Sequence, residues 1–206
     1  MDSTLWEDAV KSLSSVEIDF AAGLTDSEVG RAEAEFGFRF PPDLRAFLQT
    51  GLPAGSGFPD WRNGDPEEIR DWLRQPMEGV LFDVEHNGFW LPEWGPQPAA
   101  IADALGATRE MVSAAPKLIP IYKHRMMPER PSCEGNPVFS VHQTDIIYWG
   151  IDLRDYLIHE FLARKGVRWL VPSDVRVIEF WNIKRFQEVR WSNGPVYFDN
   201  RRGILP

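Results

Sequence analysis

At 206 residues, with 43% hydrophobic and 13% aromatic content, the chain holds enough apolar material for one sizeable core, which excludes global disorder. The net charge of −9 is uneven: residues 1–103 carry 7 Lys/Arg against 20 Asp/Glu, and residues 104–206 carry 15 against 11. Phosphates repel such an acidic N-terminal half, so the charge argues against direct nucleic-acid contact and suits a basic protein partner.

The single cysteine, Cys133, excludes an intrachain disulfide and a Cys-rich zinc site, and fits a reducing compartment. The opening MDSTLWEDAV is acidic and has no apolar h-region, and no apolar run approaches bilayer-spanning length. These features read as a cytoplasmic protein without membrane contact, with 1–206 forming a single domain. Nine tryptophans predict large buried or partner-facing aromatic surfaces.

Thr4 to Leu13 has helical spacing, and Ser3 fits its N-cap. Val16, Ile18 and Phe20 alternate with acids, as a short strand or extended connector would. Thr25 and Glu28 have capping-box spacing, flanked by a Leu24/Val29 staple. That helix continues through Phe36, and Gly37 can end it in the left-handed conformation. Pro41-Pro42 opens a second helix, Asp43 to about Gln49, with Gly51 as another left-handed cap. Residues 51–64 read as a surface loop anchored by Phe58 and Trp61.

Asp65-Pro66-Glu67-Glu68 starts the next helix, with Ile69, Trp72 and Leu73 inward, and Gln75-Pro76 ends or bends it. Gly79 to Pro98 predicts a helix followed by an aromatic loop. Ala99 to Ala115 predicts an Ala-rich helix. Leu118 to Tyr122 reads as a strand that Pro120 confines to an edge or bulge. Lys123 to Asn136 reads as a Pro-rich loop. Gly135 to Gly150, GNPVFSVHQTDIIYWG, predicts two short strands around a polar break, both central in a sheet. Asp152 caps a helix from Leu153 to Ala163. Val175 to Trp181 has strand character, Ile183 to Trp191 fits either state, 192–195 reads as a turn, and 201–203 as a frayed end. Helices come first and a sheet-rich segment follows, which is an α+β order.

Asp83, Glu85, His86, His124, His142 and Asp145 are the carboxylates and imidazoles that could hold a metal or act as acid and base. Glu85 and His86 are adjacent, so on a helix they diverge by about 100° and do not form an HExxH pair. The competing reading makes the set hydrogen-bonded residues at strand and loop ends. Cys133 has no local activating group, Ser56 lacks the G-x-S-x-G frame, and no P-loop or dinucleotide fingerprint occurs. Trp72 reads as core. Trp90 and Trp94, beside acids in a Gly/Pro-interrupted stretch, suit a protein interface as well as a core. His124 and Arg125 can instead pair with Asp83 or Glu85 and fix their loop.

Gly23-Leu24-Thr25 with Glu28, Phe36-Gly37, Phe40-Pro41-Pro42-Asp43-Leu44 and Phe47-Leu48 together resemble the N-terminal signature of the SUKH superfamily. That superfamily includes bacterial immunity proteins and the yeast cell-wall-assembly regulator. FDVEHNGFW, Pro116 to Ile121, His124-Arg125 and GNPVFSVHQTDIIYWG resemble a long bacterial branch of it. The resemblance covers roughly residues 20–162, leaving 1–19 and 163–206 as unassigned elaborations. It implies an α+β domain with a mixed, mainly antiparallel sheet flanked by helices. It also implies a non-enzymatic binding protein that neutralises a toxin, often a nuclease, with no catalytic residue, metal or cofactor. The expected contact set is Asp83, Glu85, His86, Asn87, Trp90, Trp94, His124, Arg125, Asn136, His142, Thr144 and Asp145. A metal- or small-ligand-binding enzyme using the Asp/Glu/His set is the alternative, and a regulatory scaffold is a further one.

Overall fold

The computed structural model of the chain describes residues 3–163 and 175–189. Its first helix, α1 (Ser3–Ser14), buries Trp6 and Leu13. Strand β1 (Asp19–Ala22) pairs antiparallel with β2 (Gly51–Ala54), Phe20 opposite Pro53. Between them lie α2 (Asp26–Phe36) and α3 (Pro42–Thr50). The capping box forms as its spacing predicts: Glu28 N donates to Thr25 Oγ1 at 3.2 Å, and Thr25 N donates to Glu28 Oε2 at 2.8 Å. Gly37, at φ 65°, ends α2 in the conformation only glycine adopts without strain. Gly51 does not repeat this. Its φ of −161° is extended, because β1 offers a ladder partner and the chain passes straight from helix into β2. The stretch expected as a surface loop therefore begins with a buried strand. Further along it, the buried Trp61 packs edge-on against Phe38 and Phe40, with ring centroids 5.6 and 5.1 Å away.

Helix α4 (Pro66–His86) runs 21 residues without stopping at Pro76. An internal proline costs a helix about 3 kcal/mol. Tertiary burial outweighs that here: Ile69 lies in one apolar cluster, and Val80 and Val84 lie in another. A single 3₁₀ turn (Pro92–Trp94) leads to α5 (Ile101–Ala114).

The main sheet is a meander in the order β3 (Leu118–Tyr122), β4 (Arg125–Pro128), β5 (Val138–His142), β6 (Asp145–Gly150). Every pairing among the described residues is antiparallel, so the chain has an α+β fold with an antiparallel sheet flanked by helices, and the expected mixed character is absent there. Strand β3 is an edge with an irregular register between Pro120 and Tyr122, as its proline requires. Strand β4 lies inside the stretch read as a Pro-rich loop. It is fully buried, but Arg-Met-Met-Pro carries no β-branched residue to announce it. Strand β5 is central, whereas β6 forms the other edge, which corrects the expectation that both are central.

The sheet separates two cores. Ile119, Ile121, Met127 and Val138 pack with α1, α2 and α3 on one side. Leu118, Met126, Phe139, Val141 and Ile146 pack with the second half of α4 and with α5 on the other. Helix α6 (Leu153–Leu157) joins the first core, capped by Asp152, and its last turn, Ile158–Leu162, is a π-helix. Residues 175–181 form no strand, because Ile178 and Trp181 plug the second core and Trp181 Nε1 donates to Pro116 O at 2.7 Å. Helix α7 (Ile183–Glu188) follows. The expected turn at 192–195 and the frayed end at 201–203 lie outside the described residues. No helix among the described residues is long and apolar enough to cross a membrane.

Candidate functional site

Arg125 pairs with Ser140, and His142 with Asp145, so the turns Lys123-His124 and Gln143-Thr144 emerge at the same end of the sheet. Val141 N donates to His124 O at 3.0 Å and holds the two turns side by side. Each turn contains one residue with positive φ, Lys123 at 50° and Gln143 at 55°. This end of the sheet collects Asp83, Asn87, His124, Arg125, His142, Thr144 and Asp145 from the expected contact set.

On the face toward α6, alternation along the strands puts Arg125, Ser140 and Trp149 together. Arg125 is buried. Its Nη1 donates to Ser140 Oγ at 2.6 Å, and its Nε donates to Glu160 Oε2 at 3.2 Å. Its guanidinium lies 4.0 Å above the Trp149 ring, a cation–π contact. Trp149 Nε1 donates to the same Glu160 oxygen at 2.5 Å. Glu160 reaches in from the π-helical turn, beside His159, whose ring is 5.1 Å from Trp149. The Tyr156 hydroxyl is buried under this cluster without a hydrogen-bond partner among the described residues, and burial, then Glu160, pushes its pKa far up. Arg125 Nη1 also contacts His124 Nε2. A guanidinium only donates, so His124 accepts at Nε2 and carries its proton on Nδ1 when neutral.

On the opposite face, α4 crosses the second turn. Asp83 is 1% exposed. Its Oδ2 accepts from Thr144 N at 2.9 Å and Thr144 Oγ1 at 2.7 Å, and its Oδ1 accepts from Asn87 Nδ2 at 2.6 Å. One turn earlier, a Cβ on Gly79 would sit 2.6 Å from Gln143 Cα, so only glycine permits this approach. Asp83 thus joins helix to sheet.

The remaining expected residues do not join the cluster. Glu85 and His86 are exposed at the end of α4, 3.6 Å apart, with the His86 ring 4.5 Å from Phe82. Trp90 and Trp94 pack against each other at 5.2 Å and against the second core, and Trp90 Nε1 donates to Gly95 O. Asn136 is fully buried at the other end of β5, donating to Pro131 O at 2.7 Å and accepting from Arg176 at 2.8 Å. Arg125 pairs with Glu160 and His124 with Arg125, and neither pairs with Asp83 or Glu85. No group of three or more His, Cys, Asp or Glu among the described residues is placed to hold a metal ion. Ser140, Trp149, Tyr156, His159 and Glu160 belong to the cluster although no motif marks them. One signal was available: Glu160 continues the stripe of Leu153, Tyr156 and Leu157, and a carboxylate on an apolar stripe calls for a buried cation.

His124 lies below the ordinary histidine range, through burial first and then Arg125 and His142, opposed by Glu160. His159 does so through burial, with Glu160 and Asp155 opposing. A histidine lowered on folding binds fewer protons folded than unfolded just beneath its unfolded pKa of about 6.5. Its contribution is complete above that pH and is lost as pH falls through the window below it. Urea midpoints should therefore fall between about pH 7 and pH 5. His124→Gln combined with His159→Gln should remove most of that slope, and an unchanged slope assigns it to other groups.

Comparison of the chain with protein-family models, with curated proteins and with solved structures finds no match.

Proposed function

We propose that the chain is a non-enzymatic protein-binding module, a cytoplasmic bacterial immunity or toxin-neutralising protein of the SUKH kind, acting by direct contact with a basic partner such as a nuclease domain. The observation that carries this reading is the exposed acidic excess of the N-terminal half. Glu28, Glu35 and Asp26 are each paired with an arginine. Glu7 and Asp8 on α1, Glu17 and Asp19 beside it, and Glu68 on α4 are exposed and have no ion-pair partner among the described residues. Uncompensated exposed charge of one sign speeds association with a surface of the other sign, and salt weakens the effect. The second support is the use of Asp83, Arg125 and Glu160 in joints between elements, which leaves the expected acid–base set divided between the two faces of the sheet.

Co-expression with basic domains encoded by adjacent genes, followed by pull-down from about 50 to 500 mM salt, tests the reading. Capture that weakens with salt is expected. Glu7→Lys with Asp8→Lys and Asp19→Lys should slow association about tenfold or more. Failure to capture any such domain, or capture indifferent to salt and charge reversal, would sink it.

A further inference from the structure

A cleft of about 500 Å³ runs along α3. Helical spacing puts Pro42, Ala46 and Gln49 on one stripe. The end of α2 with Arg39 and Phe40 forms one wall, and Ser132 contributes the other. The volume lies within the range of small-ligand sites. Phe40 is buried behind the cleft, and the half-buried Pro42 and Ala46 present its apolar surface.

Two guanidiniums are held over this surface. The buried Glu33 accepts from Phe40 N at 3.0 Å with one oxygen and from Arg39 Nη1 at 2.7 Å with the other. The Arg39 side chain is nevertheless 78% exposed. Arg45 donates from Nε to Gln49 Oε1 at 3.2 Å and from Nη2 to Asp26 Oδ1 at 2.7 Å. The remaining N–H groups of both arginines have no acceptor among the described residues. Both forks are thus fixed by carboxylates yet keep donors available, an arrangement that matches a planar acceptor. Glu33 and Asp26 already balance the two cations, so the site offers directed N–H donors rather than surplus charge, which disfavours a dianion such as phosphate more than a monoanion.

We propose that this cleft binds the carboxylate of a ligand carrying an adjacent apolar group, gripped by Arg39 and Arg45 with the apolar group on Pro42 and Ala46. The carboxylate can come from a free acylated hydrophobic amino acid or from a peptide C-terminus. This site does not depend on the toxin-neutralising reading.

Titrations of the ¹⁵N-labelled protein with N-acetyl-leucine, N-acetyl-leucinamide and inorganic phosphate test it. Saturable shifts confined to residues near 39–49 and 132 are expected with the acid, with the amide at least about tenfold weaker. A short peptide ending in leucine that binds tighter than N-acetyl-leucine assigns the terminus as the source, and equal binding assigns the free acid. Arg39→Gln with Arg45→Gln should weaken the acid about tenfold or more. Should that variant be destabilised, Ser132→Trp on the facing wall must block the same shifts. Absence of saturable shifts, equal affinity for acid and amide, or phosphate binding as tightly as the acid would overturn the assignment.

Discussion

Replacing Asp83 by alanine should lower the stability of the folded chain by about 3–5 kcal/mol. Three donors converge on this carboxylate in the joint between α4 and the β5–β6 turn. Removing it leaves a buried backbone N–H and a buried hydroxyl at Thr144 with no acceptor, each at a cost of about 1–3 kcal/mol. Asp83→Asn should cost less but not nothing, because the amide must point N–H₂ at a neighbour that is itself a donor. Thr144→Val removes only the hydroxyl's bond and should fall below Asp83→Ala. Urea unfolding of the three variants gives the ranking. An Asp83→Ala protein within about 1 kcal/mol of the parent would mean that the joint is not what fixes the helix to the sheet.

Arg125→Ala should cost about 2–4 kcal/mol, because Glu160 would lose its cation while remaining largely buried and Trp149 would lose the guanidinium on its face. Arg125→Lys should recover only a minor part of this. An ammonium restores charge but cannot donate from separate nitrogens to Ser140 and Glu160 while lying flat on an indole. Glu160→Gln should be milder than either, since its oxygen still accepts from Trp149 and Arg125. The Trp149 indole N–H resonance offers a local readout: it should move in Arg125→Lys together with the unfolding midpoint. If lysine restores both stability and resonance, the fork and the stacking contribute nothing.

Local chemistry was the legible part of this sequence. Thr25 with Glu28, Asp65 before Pro66 and Asp152 before Leu153 each set a helix start by a bond spanning two or three residues, and all three form. Strands with β-branched and aromatic residues were visible, including both arms of the 135–150 stretch. What was hidden depended on distant residues. Nothing near Pro76 says that Val80 and Val84 will find a second core, so the helix was expected to stop or bend there. Nothing in Arg-Met-Met-Pro says that β5 lies beside it. At the candidate site, His124, Arg125, Thr144 and Asp83 lie at one end of the sheet, but no spacing in the sequence announces their partners. Arg125 turns to Glu160, 35 residues on, because a π-helical turn delivers that carboxylate, and no sequence period encodes such a turn.

The meander order of the main sheet has a consequence for how the molecule assembles in time. Its three pairings join strands that are neighbours in the chain, so β3 to β6 can zip together through short loop closures with little entropy lost. The joint made by Asp83 and Thr144 spans 61 residues and needs the turn to exist already, since Gly79 must meet a formed backbone at Gln143. Folding should therefore begin in the hairpins and finish when α4 docks. Substitutions at Asp83 would then act mainly by speeding unfolding, whereas those at Phe139 or Ile146 would slow folding itself.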